Sequence, residues 1–332
     1  MRAELTPLSN DRLSSPQSGM EAEMREVDVV IRRRLASEVV LIDQISKYII
    51  GAGGKRIRPL LVLLFSRALG FEGRERFELA ATVEFIHTAT LLHDDVVDES
   101  DLRRGRKSAN AIFGNAASIL VGDFVYSRAF QMMVSVNRMR VLQVLSDATN
   151  VIAEGEVLQL MNMHDPDLQV DDYLKVIRFK TAKLFEASAR LGAVLAEAPE
   201  DVEEACADYG RSLGTAFQLI DDLLDYEGST QDLGKNVGDD LREGKPTLPL
   251  LLAMQRGTSA ERELIRGAIQ RGEVERLAEV IEVVRGTGAL QATREAAREQ
   301  VEHARRRLTV LQPSIHRDAL IELCTSSVDR SS

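Results

Sequence analysis

Apolar residues recur along most of the chain at spacings of three and four, the signature of amphipathic helices. Val27, Val30, Ile31 and Leu35 form one such stripe, and Leu174, Ile177, Leu184 and Leu191 belong to another. Runs of strict alternation, which would predict strands, are few. Eight prolines in 332 residues leave long helices uninterrupted. Pro59 follows a Gly-Gly-Lys loop, where a first-turn proline is tolerated. His164-Asp165-Pro166-Asp167 reads as a helix-to-helix loop, and Pro246 and Pro249 follow a polar stretch from Gly234 to Gly244. The pattern predicts an all-α protein. Residues 1–20, polar and carrying Pro7 and Pro16, are expected to be a mobile tail; residues 21–332 are expected to form one helical domain. Residues 260–311, rich in Arg, Glu and Ala, are expected to be surface helices with solvated faces.

Composition narrows the class. With 44% hydrophobic residues the chain can build a large core, and its net charge of −10 argues against nucleic-acid binding, which needs a basic surface. Cys206 and Cys324 lack metal-ligand spacing. No N-terminal apolar run looks like a signal peptide, and no stretch approaches the roughly 20 apolar residues of a transmembrane helix. A cytoplasmic protein is expected.

Candidate chemistry sits in two acidic clusters. Asp94-Asp95-Val96-Val97-Asp98 places carboxylates three and four apart, on one face of a helix. Asp221-Asp222-Leu223-Leu224-Asp225 repeats the spacing far along the chain, after Phe217-Gln218-Leu219-Ile220. Like charges crowded within apolar helices are unfavourable unless a cation sits between them. Hard oxygen donors in this number suit Mg²⁺, which is held by a few carboxylates plus substrate phosphates. The glycine and glutamate positions of an EF-hand loop are missing.

Basic clusters accompany them. Gly53-Gly54-Lys55-Arg56-Ile57-Arg58-Pro59 sets three cations beside a flexible Gly-Gly, Arg103-Arg104-Gly105-Arg106-Lys107 follows the first acidic motif, and Lys180-Thr181, Lys235 and Lys245 add further cations. The first loop lacks the spacing and the Ser/Thr of a P-loop. Acidic and basic clusters together suggest two diphosphate sites, one reached through bridging Mg²⁺ and one held directly by Lys and Arg. No Ser-His-Asp or Cys-His nucleophile pair is evident, which points to chemistry driven by leaving-group departure.

In their order and wording these motifs resemble the trans-polyprenyl diphosphate synthases, and the bacterial octaprenyl branch in particular, over residues 25–328. Leu92-His93-Asp94-Asp95-Val96-Val97-Asp98, Arg103-Arg104-Gly105 and Gly214-Thr215-Ala216-Phe217-Gln218-Leu219-Ile220-Asp221-Asp222 carry the likeness with the Gly53–Pro59 loop; Gly114-Asn115-Ala116-Ala117 to Gln131-Met132-Met133 carries the octaprenyl character. The resemblance implies the isoprenoid synthase fold, a single-domain bundle of long helices around a central substrate cavity. It implies an enzyme that condenses isopentenyl diphosphate with an allylic diphosphate, farnesyl to octaprenyl, for a quinone side chain. Solanesyl, heptaprenyl and geranylgeranyl synthases are the alternatives within the family.

Residue roles follow from the resemblance. Lys55, Arg58, His87 and Arg104 would hold isopentenyl diphosphate. Arg103, Lys180, Lys235 and Lys245 would contact the allylic diphosphate, with Thr181 and Gln218 beside the cationic carbon. Two or three Mg²⁺ ions would be bound by Asp94, Asp95 and Asp98 and, from the facing helix, by Asp221, Asp222 and Asp225. Ala89, five positions before the first Asp, would gate chain length, although helix geometry alone places Thr90 and Leu91 nearer the face of Asp94. Phe130, Met132 and Met133 are candidates for the tunnel floor. Where short-chain relatives often end in a basic motif, this chain ends Asp329-Arg330-Ser331-Ser332, which puts C-terminal closure of the isopentenyl site in doubt.

The segment Gly114–Val136 is apolar around much of its circumference, so one face needs an outside cover. The resemblance implies a homodimer there; membrane contact would be limited to product release. A terpene cyclase would need aromatic walls, and this chain has no Trp and 5% aromatics. A non-catalytic subunit would be expected to lose its Asp motifs, and both are intact.

Overall fold

The computed structural model describes residues 19–51, 53–103, 105–227, 238–272 and 274–329. Nearly all of it is helix. The helices α1 (Glu21–Leu35), α2 (Val40–Gly51), α3 (Ile57–Ala68) and α4 (Glu75–Val97) are followed by a short antiparallel ribbon, β1 (Leu102–Arg103) with β2 (Arg106–Lys107). Then come α5 (Ala109–Phe113), α6 (Asn115–Ser135), α7 (Met139–Asn162), α8 (Val170–Ile177), a π turn (Arg178–Ala182), α9 (Lys183–Leu195) and α10 (Glu200–Glu227). The remaining helices are α11 (Asp239–Arg242), α12 (Leu248–Arg256), α13 (Ser259–Arg271), α14 (Leu277–Gly286), α15 (Ala289–Arg307) and α16 (Ile315–Val328).

Hydrophobic patterning decides which helices are central. In α3 every residue from Pro59 to Ser66 is buried, and α9 is buried from Leu184 to Ala189 and again from Leu191 to Leu195. Helices apolar all round must lie inside. The long α10 packs against α9 on one side and α15 on the other, while α4 pairs with α6. Buried hydroxyls bond inward: Ser66 donates to the Val62 carbonyl and Ser188 to the Leu184 carbonyl, and Tyr209 donates to the Leu320 carbonyl at 2.7 Å, tying α16 to α10. Local signals mark helix starts. Thr258 and Glu261 form a reciprocal cap at the start of α13, and Gly114, at φ +86°, precedes α6.

Three details depart from expectation. Met20 is only 3% exposed and packs into the core beneath α1, because a thioether at a helix entry can cover apolar surface; the expected tail therefore stops short of it, and residues 1–18 lie outside the described residues. The helices from residue 260 onward are not merely superficial, since Ile265, Ile269, Val280, Val284, Val301 and Ala304 belong to the core. A ribbon interrupts the helices after the first acidic motif. Among the described residues no helix is long and apolar enough to cross a membrane.

Candidate active site

A single cleft of about 890 Å³ gathers residues from α3, α4, α7, α8, the π turn, α10 and α11. Carboxylates of both motifs line it, Asp94 and Asp98 from the end of α4 and Asp221 and Asp222 from α10. At the mouth stand the exposed Lys55 and the half-buried Arg58, with His87 from α4. Apolar side chains complete the lining, with Leu91, Leu168, Val176, Ile177 and Phe217.

The basic mouth rests on an unusual turn. Gly53 and Gly54 adopt φ +70° and +149°, and Arg56 itself sits at φ +47° before entering α3. A non-glycine residue in that region costs roughly 1–2 kcal/mol. An ion pair from Arg56 to Asp28 of α1 holds it there. Two residues on, the Arg58 guanidinium lies 4.5 Å over the Phe185 ring, where the π face favours a cation.

The two acidic motifs do not point all their carboxylates the same way. Asp94 and Asp98, one helical turn apart, face the cleft. Asp95, about 100° round the helix, is 1% exposed; it accepts a 2.6 Å bond from Arg103 Nε, while the Asn110 side chain bonds its main-chain carbonyl. In the second motif Asp225 is fully buried, with Asp240 N–H donating to Oδ2 at 3.3 Å, and it does not reach the cleft wall. Asp222 reaches the wall with both oxygens engaged: the buried Tyr173 hydroxyl donates to Oδ2 and Gln218 Nε2 donates to Oδ1 at 2.7 Å. Gln218 Oε1 then accepts from the Thr181 hydroxyl at 2.9 Å. An ionised carboxylate can only accept. It therefore fixes the amide with its NH₂ toward Asp222, and Thr181 presents its lone pairs elsewhere.

Lys180 and Thr181 occupy the π turn, an irregularity that often marks a functional site. Two glycines clamp it. A Cβ on Gly155 of α7 would stand 2.6 Å from the Lys180 amide nitrogen, and one on Gly214 of α10 would stand 2.7 Å from Ala182 Cα. Lys180 Nζ lies 2.6 Å from Glu156 and 4.0 Å from Asp94, and Lys245 Nζ lies 3.0 Å from Asp98 and also pairs with Glu243.

The electrostatics follow from this crowding. Burial raises the Asp94 carboxyl above its ordinary range, with Lys180 pulling it back and Asp98 pushing it further up. Burial likewise raises Asp95, against the pull of Arg103. Glu156 is pushed up to about 7 by burial, and Asp222 to about 7 by burial and then by Asp240. In Lys245 burial acts to lower the ammonium, but Asp98 and Glu243 prevail and raise it. Among the described residues no three His, Cys, Asp or Glu side chains converge closely enough to hold a metal by themselves.

Of the residues singled out in the sequence, Lys55, Arg58, His87, Thr90, Asp94, Asp98, Arg103, Lys180, Thr181, Gln218, Asp221, Asp222 and Lys245 share the cleft. Arg104 and Lys235 lie outside the described residues. Ala89 is fully buried behind the wall that Thr90 and Leu91 line. Met132 and Met133 are buried in the core away from the cleft lining, and Phe130 faces outward, 39% exposed and edge-on to Tyr126 at 5.2 Å. Met132 lies about 160° round the helix from Phe130, so the three do not form one floor in the cleft of a single chain. Sequence reasoning missed Tyr173, Glu156 and Glu243. Glu156 had a signal, as a charge next to Gly155 in a long apolar helix; Tyr173 had none.

The polyprenyl synthetase family model matches residues 39–284. Octaprenyl diphosphate synthase of Escherichia coli is 55% identical over 309 residues, covering 93% of this chain and 96% of that one. A geranyl-diphosphate-specific all-trans-nonaprenyl-diphosphate synthase of Rhodobacter capsulatus is 46% identical, over 92% of this chain and 94% of that one. A polyprenyl synthase of Caulobacter crescentus, solved in complex with calcium and isoprenyl diphosphate, superposes with a TM-score of 0.93 at 46% identity, covering 98% of this chain and 100% of that one. This helical bundle, with aspartates of both acidic motifs lining one cleft, thus belongs to the polyprenyl synthetase family of prenyltransferases and has its isoprenoid synthase fold.

Proposed function

We propose that this chain is a long-chain trans-polyprenyl diphosphate synthase that extends farnesyl diphosphate with isopentenyl diphosphate to the octaprenyl product, in the cytoplasm, for a quinone side chain. The observation that carries the reading is one cleft lined together by Lys55 and Arg58, by aspartates of both acidic motifs, by Lys180 and Lys245, and by apolar side chains. The 55% identity to an octaprenyl synthase supports the product length.

The reaction breaks the allylic C–O bond, forms a C–C bond to the isopentenyl double bond, and loses a proton to restore an alkene. Lys55, Arg58 and His87, joined by Arg104, would hold isopentenyl diphosphate. Lys180, Lys245 and Arg103, joined by Lys235, would hold the allylic diphosphate as it leaves, and the departed diphosphate would take the proton. Thr181, held through Gln218, Asp222 and Tyr173, would present its oxygen lone pairs to the cationic carbon. The apolar lining keeps water from that carbon.

The donor set fits Mg²⁺. Asp94, Asp98 and Asp221 offer hard oxygens from two helices to one cleft, a donor set that suits an ion completed by substrate oxygens. Two or three Mg²⁺ ions, held by these three carboxylates with the allylic diphosphate, would supply charge stabilisation of the leaving group. Asp95, Asp222 and Asp225, engaged elsewhere, would position this set rather than complete it.

A second copy of the chain would cover α6. Its outward face carries Ile119, Leu120, Phe130 and Val134, with Leu120 67% exposed. A two-fold dimer is the commonest assembly that buries such a face, and a monomer by light scattering at micromolar concentration would refute it.

The function is tested by incubating the protein with Mg²⁺, isopentenyl diphosphate and farnesyl diphosphate and separating the products by reverse-phase chromatography. Octaprenyl diphosphate is expected. Failure to elongate farnesyl diphosphate, or arrest at geranylgeranyl length, would overturn the reading.

A further inference from the structure

Lys180 and Lys245 on the cleft wall each have a glutamate beside them as well as a motif aspartate. For Lys180 the glutamate is nearer, with Glu156 at 2.6 Å and Asp94 at 4.0 Å. Glu156 projects from α7, which carries neither acidic motif, and it lines the cleft. Its side chain is not needed to join α7 to the π turn, because Gly155 already brings the two backbones into contact. A carboxylate so placed has a chemical consequence. It neutralises a cation that must grip a diphosphate, and it adds a like charge beside the acidic wall that faces the same ligand.

We propose that Glu156 is a specificity-determining residue that weakens the hold of Lys180 on the allylic diphosphate, so that the elongated product can leave. The inference rests on the synthase reading above. Each added isoprene unit buries more apolar surface and tightens the tail. A headgroup site of full strength would then trap the product, and release would limit turnover. Moderating the headgroup end offsets the growing tail without altering the basic mouth.

The test is Glu156→Gln, which keeps the shape and removes the charge. With the full-length enzyme and Mg²⁺, KM for farnesyl diphosphate should fall about three- to tenfold, while KM for isopentenyl diphosphate stays unchanged. Steady-state kcat should fall as release slows, and a pre-steady-state burst of long product should grow. Equilibrium binding of farnesyl thiolodiphosphate, an unreactive analogue, gives a readout independent of turnover. Glu156→Gln should tighten it in the wild-type background and clearly less in a Lys180→Ala background. An unchanged or raised KM for farnesyl diphosphate would overturn the proposal, the latter because Glu156 would then be helping to bind the ligand or its metal. Equal shifts for both substrates, or the same tightening without Lys180, would overturn it too. A wild-type enzyme unable to elongate farnesyl diphosphate would instead defeat the functional reading, with the analogue-binding comparison still deciding what Glu156 does to the anion site.

Discussion

Gly155→Ala is the smallest change that should move Lys180 without touching it. The new Cβ would stand 2.6 Å from the Lys180 amide nitrogen and 2.9 Å from both the carbonyl carbon and the Cβ of Phe179. Two of these atoms are backbone, so no rotamer change relieves the contact. Ordinary separations are near 3.5 Å, so α7 and the π turn must part by about 0.9 Å. Overpacking of this kind costs about 1–3 kcal/mol, and alanine in a helix returns about 1 kcal/mol relative to glycine. The net loss of about 0–2 kcal/mol should lower Tm by only a few degrees. Catalysis is less forgiving, because a displacement of about 1 Å can cost about 100-fold in rate. We therefore expect kcat to fall roughly 10- to 100-fold with a rise in KM for the allylic substrate. KM for isopentenyl diphosphate should hold, since Lys55 and His87 stand on other elements. Incorporation of labelled isopentenyl diphosphate and a thermal melt measure both sides. Full turnover with an unchanged melt would show that contact with α7 does not place Lys180.

Asp94→Ala and Asp221→Ala should each reduce kcat by orders of magnitude in a folded protein, and chelation of Mg²⁺ should abolish turnover in the wild type; near-normal activity in either variant would refute metal binding by both motifs. Tyr173→Phe should lower kcat about tenfold at constant KM for both substrates, through loss of one hydrogen bond to a charged group. In a Thr181→Val background the same change should cost less than about twofold, and equal losses in both backgrounds would show that Tyr173 does not act through Thr181. Ala89→Tyr should shorten the product to about farnesyl or geranylgeranyl length, at about 1–3 kcal/mol of stability because the site is fully buried. A folded, active variant that still makes only the long product would place the tunnel along Thr90 instead.

By itself the sequence determined the fold class and the chemical parts. Spacings of three and four residues report helices because neighbouring side chains interact over one turn. The Asp-rich turns, the Gly53-Gly54-Lys55 loop and the order of motifs are likewise properties of contiguous residues. Tertiary packing decided which of these parts meet. Asp94 and Asp95 are adjacent in sequence, yet one faces the cleft and the other is buried against Arg103, because packing α4 against α3 and α6 sets its rotation. The π turn, Tyr173 beneath Asp222 and the pairing of Glu156 with Lys180 could not be read locally. Each depends on helices 20 to 50 residues apart lying against one another. A helix pattern states that an apolar face must be covered; it does not state by which neighbour, and at this site the neighbour decides which oxygen, ammonium or hydroxyl reaches the substrate.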